Sequence, residues 1–127
     1  MNLMPLVNRI NATRLGTKGK DLFVEMMPPE VSSAILLRSP LSGTKIDYYL
    51  PQYFNTEFQL IVRTGSYESG LDLTKRVITL LTFDELALES QSFKFCRPRT
   101  LPVAFPLSRG NLVEYNVMFD CCFVGPG

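Results

Sequence analysis

The sequence contains no histidine among its 127 residues. It therefore lacks the commonest general base and the commonest soft metal ligand, which disfavours most enzyme mechanisms. It also lacks a charge excess of either sign, because 13 Lys and Arg residues stand against 12 Asp and Glu residues, a net charge of +1. So small a charge gives no strong attraction to nucleic acid or to an anionic membrane. We therefore expect the partner to be another protein.

Cysteine is scarce, with three residues in the chain. Cys121 and Cys122 are adjacent and Cys96 is distant, so their spacing fits neither a disulfide framework nor a zinc site. The two neighbours would point to opposite faces of a regular strand, where they behave as small buried side chains rather than as joint metal ligands. This usage predicts a reducing compartment.

Long apolar runs are absent, since nowhere do 18 apolar residues follow one another. The amino terminus also has no basic segment followed by an apolar stretch, so we expect neither a signal peptide nor a membrane span. The length fits one domain, residues 1–127, that can bury a core without disulfides or metal ions.

The central stretch, residues 54–83, combines two clear periodicities. Apolar or β-branched residues occupy every second position from 54 to 62, which predicts a half-buried strand. After a break at 64–66, helical spacing predicts a core-facing helix, with Ser66 as N-cap and Glu68 in the first turn. The stripe comprises Tyr67, Leu71, Thr74, Ile78 and Leu81, widened by Leu73, Val77 and Leu80. A strand followed by a packed helix indicates an α+β domain.

The other elements follow from the same periodicities. A short amphipathic helix is predicted over residues 3–13. The basic loop at 14–20 fails the Walker phosphate-binding pattern, so a solvated loop is predicted, with an anion site as the alternative. The apolar segments 22–27 and 33–38 are predicted to form an antiparallel pair. After the long helix we predict a connection at 83–88 and then a strand at 91–97 with Phe93 and Phe95 on one face. A proline-interrupted edge strand or extended arm is predicted at about 97–110, followed by a central strand at 112–124.

The central stretch resembles a family of small tailed-bacteriophage proteins known as minor capsid or tail terminator proteins. The resemblance is carried by the strand at 57–63, the segment Gly-Ser-Tyr-Glu-Ser-Gly at 65–70 and the helix at 71–81. The upstream order is also similar, with a short helix, a strand ending at Met27 and Pro28, and an apolar strand at 34–37. The resemblance implies a mixed, mostly antiparallel sheet with helices packed on one face.

The resemblance also implies a structural role without catalytic, cofactor-binding or metal-binding residues. In this family, a hexameric ring sits on the head-proximal end of the tail tube, stops tube polymerisation and offers a surface for the neck proteins. The implied partners are further copies of the chain, the tail tube protein and a neck or head-completion protein. No membrane or specific nucleic acid is implied, although DNA would pass through the ring. The implied location is the virion, in the tail or neck, after assembly in the host cytoplasm.

Two alternatives remain open from the residues alone. A neck, head-completion or other tail-completion ring protein would have a similar size and a similarly neutral composition. A small enzyme would use a carboxylate such as Glu57, Asp84 or Glu85, or a cysteine nucleophile. Without histidine, that cysteine would need another activating base or a helix terminus.

Two segments supply most of the candidate contact residues. An aromatic loop at about 40–53 contains tyrosines that either anchor a neighbouring subunit or cover the domain's own sheet edge. The proline-rich segment contains arginines that either pair with carboxylates such as Glu57 or Asp84 across a ring interface or form a solvated edge. Arg63, at the end of the central strand, either faces a partner or lies over the helix start. The candidate interface residues are Tyr48, Tyr49, Tyr53, Arg63, Arg97, Arg99 and Arg109.

Overall fold

The computed structural model describes residues 2–39, 43–46, 49–50, 52–89, 91–107 and 111–125. These residues form two helices and eight strands. In chain order they are α1 (Met4–Ala12), β1 (Leu22–Val24), β2 (Ala34–Arg38), β3 (Lys45–Ile46), β4 (Tyr53–Thr64), α2 (Tyr67–Leu81), β5 (Phe83–Leu88), β6 (Gln91–Pro98), β7 (Val103–Pro106) and β8 (Val113–Val124).

The sheet is built around β4 and β8, which pair antiparallel along their whole length from Tyr53 opposite Val124 to Thr64 opposite Val113. The strand order is β1-β2-β4-β8-β6-β5, with β3 added beside β4 and β7 added beside β8. Every pair except β1 with β2 is antiparallel. The expected mixed, mostly antiparallel α+β fold is therefore confirmed.

The core lies between the helices and one face of the sheet. Alternate residues of β4 and β8 point into it, and the rings of Phe58 and Phe119 stack with centroids 4.9 Å apart. Both helices contribute to the same core, with Leu6 and Ile10 of α1 and Val77 of α2 fully buried. This alternation explains why the two longest strands were recognisable from the sequence.

Helix α2 begins where the sequence predicted, because the Ser66 hydroxyl accepts a hydrogen bond from the Ser69 amide. Its buried stripe is rotated from the predicted one. The buried positions are Gly70, Thr74, Val77 and Leu81, whereas Tyr67 is exposed and Ile78 only partly buried. A glycine carries no hydrophobic signal, so the close contact of the helix with the sheet at Gly70 was not visible in the pattern.

Strands β1 and β2 are parallel, and the predicted antiparallel pair is wrong. The first strand ends at Val24, three residues before the predicted end, because Glu25 adopts a left-handed conformation (φ 69°) and turns the chain aside. The connection at 25–33 then returns to the start of β2. Arg63 holds it through hydrogen bonds from Nη1 to the carbonyl oxygens of residues 29 and 31 at 3.2 and 3.1 Å.

Two predictions for the region after α2 are also wrong. Residues 83–88 form the edge strand β5 rather than a connection, although their charged residues obscure the alternation. In β6, a register shift between Phe93 and Phe95 interrupts the two-residue period. Phe93 and Cys96 therefore point into the core, while Phe95 lies opposite Cys122 on the other face.

The proline-rich segment follows the sheet. The sequence left two alternatives for it, an edge strand or an extended arm. The described part forms an edge strand, because β7 pairs with residues 113–116 of β8. Between β6 and β7, the Arg99 amide donates to the Met118 carbonyl at 2.7 Å, which keeps the backbone close to β8.

Candidate assembly surface

In the part of the chain that the structure describes, both helices pack on the core side of the sheet, and we call the other side the open face. It is formed by the alternate residues of β4 and β8 that point away from the core. Most of them are polar and partly exposed, among them Asn55, Glu57, Gln59, Asn116 and Asp120. Neighbouring polar groups pair across the strands, as where Gln59 Nε2 donates to Asn116 Oδ1 at 2.7 Å.

Arg63 forms an ion pair at one end of the open face. Its Nη2 lies 2.8 Å from Glu114 Oε2, and the two side chains are only 12% and 17% exposed. Together with the bonds to the 25–33 connection, this pair satisfies the guanidinium within its own chain. The contacts of Arg63 thus join β4, β8 and the connection before β2.

Arg99 neutralises two carboxylates at the centre of the open face. Glu57 and Asp120 are directly opposite each other on β4 and β8, and like charges in such positions repel. Arg99 Nη1 contacts a carboxylate oxygen of Glu57 and lies 3.4 Å from Asp120 Oδ1. Glu57 was among the expected arginine partners, and here the contact is made within one chain.

Arg97 and Lys45 give the same region a positive excess. The Arg97 guanidinium carbon lies over the Phe95 ring, 4.3 Å from its centre, in a cation–π contact. Within the described residues, neither Arg97 nor Lys45 forms an ion pair. A cleft of about 330 Å³ is lined by these residues together with Arg99, Glu57 and Asp120. These three cationic and two anionic side chains give the cleft a net charge of +1, which one carboxylate of a partner would neutralise.

The aromatic loop places its tyrosines differently. Tyr49 is 93% exposed, while Tyr53 is partly buried and its ring centre lies 5.8 Å from the Lys94 ammonium nitrogen. Tyr48 and Arg109 lie outside the described residues. The structure thus brings Arg97 and Arg99 together at the cleft, and leaves Arg63 and Tyr49 apart from it.

The sequence patterns did not predict an exposed apolar edge that the structure shows at residues 101–107. Leu101 is 85% exposed, and Val103 and Phe105 of β7 are about half exposed. The sequence does contain a sign of this edge, because residues 101–107 have no charged side chain. The prolines, however, indicated interrupted strand pairing rather than an apolar surface. Exposed apolar strands at a sheet edge are typical of protein contacts.

The cysteines are inert by position. Cys96 and Cys121 face each other across β6 and β8 on the core side, and Cys122 is buried on the other face. A hydrogen bond with Cys121, reinforced by burial, raises the pKa of the Cys96 thiol far above its ordinary value. A thiol held protonated in this way is a poor nucleophile.

Neither a metal cluster nor a membrane-spanning helix occurs in the described part of the chain. No three His, Cys, Asp or Glu side chains there are grouped to hold an ion. No helix among residues 2–39, 43–46, 49–50, 52–89, 91–107 and 111–125 is long and apolar enough to cross a membrane.

Comparison with solved structures shows what the fold is similar to. A chain from the virion of a native gene transfer agent (GTA) particle superposes with a TM-score of 0.69 at 13% sequence identity, covering 94% of this chain and 92% of its own. A second solved chain has a TM-score of only 0.48 at 14% identity, and we draw nothing from it. A search of curated proteins found no match.

Comparison with family models gives a match over most of the chain. The model of the bacteriophage tail terminator protein matches residues 9–122, which include strands β1 to β7, most of β8 and the whole of α2. This is a family of virion structural proteins, not of enzymes. The chain therefore belongs to the bacteriophage tail terminator family, and it is a structural protein of a phage tail.

Proposed function

We propose that this protein is the tail terminator of its particle. In this role it forms a hexameric ring on the head-proximal end of the tail tube, stops tube polymerisation and provides the surface that joins the head. The observation that carries the proposal is the family match over residues 9–122. The similarity of the fold to a chain of a GTA virion is consistent with it.

The surface chemistry supports a role in repeated protein contacts. An uncharged apolar segment is exposed along β7, and the open face has a cleft with one unbalanced positive charge. The chain's net charge of +1 disfavours tight binding to DNA that passes through a ring. Such a combination suits a protein that contacts several other proteins.

The proposed contact residues divide into two groups. Tyr49 and Arg97 present exposed side chains and are proposed to contact a neighbouring subunit or the tube directly. Arg63 and Arg99 are bonded within their own chain, so we propose that they shape the surface around those contacts. Tyr53 is partly buried and contacts Lys94 of its own chain, so only part of its ring is available to a partner.

Electron microscopy of purified protein mixed with tail tube subunits tests the proposal. We expect six-fold rings, and tubes that carry one ring at a single end and stop growing. As a control, tube subunits alone should give tubes of unrestricted length. A protein that stays monomeric and leaves tube growth unchanged would contradict the proposed function. Binding to the portal side without binding to tubes would instead identify a neck protein.

A further inference from the structure

One half of the sheet has two free edges of opposite charge. Here the strands lie in the order β3-β4-β8-β6-β5, so β3 and β5 are its two ends. The pairing register places one row of residues across all five strands on the open face: Lys45, Asn55, Cys122, Phe95 and Asp84. A lysine therefore begins this row and an aspartate ends it.

The two ends are available for contact. Within the described residues, β3 pairs with β4 alone and β5 pairs with β6 alone, so each has an outer edge with unpaired backbone groups. Lys45 and Asp84 are exposed, and neither forms an ion pair in the described part of the chain. The neighbouring Glu85 is also exposed, but its carboxylate lies 3.4 Å from the Lys94 ammonium nitrogen of the same chain, so Asp84 is the acidic side chain available to a partner.

The next row adds an apolar contact. It runs from Ile46, which is 62% exposed, through three phenylalanines to Leu86. The β3 edge thus offers a lysine in the first row and an isoleucine in the second. The β5 edge offers an aspartate in the first row and a leucine in the second. The edges match each other in charge and in apolar character.

Strand direction is compatible with a continuous sheet. Strand β3 is antiparallel to β4, and the successive antiparallel steps from β4 through β8 and β6 give β5 that same direction. If one copy is placed beside the next in the same orientation, β5 of the first and β3 of the second form a parallel pair. Because different patches meet, this contact is heterologous, which is the kind that generates rings.

We infer that the subunit interface of the ring joins the acidic β5 edge of one copy to the Lys45-bearing β3 edge of the next. The inference rests on the proposed ring and specifies its contact. A second copy is the favoured occupant because the chain itself has both complementary edges. Nucleic acid is disfavoured because Asp84, which has no ion-pair partner in the described part of the chain, would repel phosphate.

Charge reversal of the full-length protein tests the contact. Lys45→Glu and Asp84→Lys each place like charges across the interface, and each should raise the protein concentration needed for ring formation about tenfold or more. The double variant restores opposite charges and should assemble like the wild type. Lys20→Glu and Glu30→Lys are matched controls, because both side chains are exposed and lie outside the two edges. Mass photometry gives the ring fraction and circular dichroism checks folding.

Cross-linking gives a second, direct readout. A variant with both Lys45→Cys and Asp84→Cys should form a ladder of disulfide-linked multimers on mild oxidation, whereas each single variant should not, since the native cysteines are buried. Cross-linking of the single Asp84→Cys variant would indicate a two-fold contact and overturn the inference. Failure of the double charge variant to restore rings would also overturn it. Rings from every charge variant would reject this interface and leave the terminator function standing. A wild type that forms no rings and also leaves tube growth unchanged would reject both.

Discussion

Gly70 is a residue at which α2 lies close to the sheet. A Cβ atom at this position would lie 2.5 Å from Thr64 Oγ1 and 2.9 Å from Tyr115 Cε2, both closer than real contacts. Gly70→Ala should therefore lower the free energy of unfolding by about 1–3 kcal/mol through overpacking. Urea denaturation measures this change. Gly65→Ala is the matched control, because nothing lies within 4 Å of its added Cβ. Equal effects of the two substitutions would contradict the close contact.

Arg63 should contribute more to stability than an exposed arginine. Arg63→Gln leaves Glu114 partly buried without its partner and releases the carbonyls of the 25–33 connection. We expect a loss of about 1–3 kcal/mol. Arg76→Gln breaks the exposed helical pair with Asp72 and should cost no more than about 0.5 kcal/mol. Thermal unfolding of both variants checks the order, and a larger loss for Arg76→Gln would refute it.

The three thiols should be protected from thiol reagents in the folded protein, because all three are buried. Because the pKa of Cys96 is raised, the folded state retains a proton that the unfolded state releases above the ordinary cysteine pKa of about 8.5. This contribution to stability is complete at neutral pH and falls as the pH rises through the alkaline range. Cys96→Ala should lose less stability between pH 7 and pH 10 than the wild type does. A thiol reagent that labels all three cysteines at neutral pH without unfolding would contradict their burial.

At the scale of elements, the β4–β8 pair organises the core. Phe58→Ala removes the ring that stacks on Phe119 and leaves a cavity in a fully buried site. The expected cost is about 3–5 kcal/mol in the free energy of unfolding. Tyr49→Ala should change stability by less than about 0.5 kcal/mol because its side chain is exposed. Chemical denaturation of the two variants distinguishes the core from the surface.

The elements predictable from the sequence were those with a clean period. Strand β4, helix α2 and strand β8 were recognised because their alternation or stripe runs over twelve or more residues. The parallel β1–β2 pair and the bulge in β6 were not recognised. A left-handed Glu25 and a shifted register at Lys94 leave no mark on hydrophobic periodicity.

The candidate surface was predictable only in part for the same reason. Composition picked out Arg97 and Arg99, and the structure places both at the cleft. It could not show that Arg99 bridges Glu57 and Asp120, because that arrangement depends on the pairing of β4 with β8 and the path after β6. The register that aligns Lys45 with Asp84 across five strands is likewise a property of the assembled sheet.

At the scale of the whole molecule, we propose that this protein ends the growth of a tail tube. A structural protein with a mixed sheet, neutral charge and exposed edges is suited to that role, and its family match covers residues 9–122. A protein that stops tube growth controls tail length, so tail length is the quantity to measure.

The most direct measurement is electron microscopy of tails from the particle when this reading frame has an early stop codon. Overlong tails of scattered length, without attached heads, are the predicted result, because only the stop to polymerisation is lost. Supplying the intact gene on a plasmid should restore uniform tails and infectious particles. Tails of normal length, whether joined to heads or not, would contradict the terminator function.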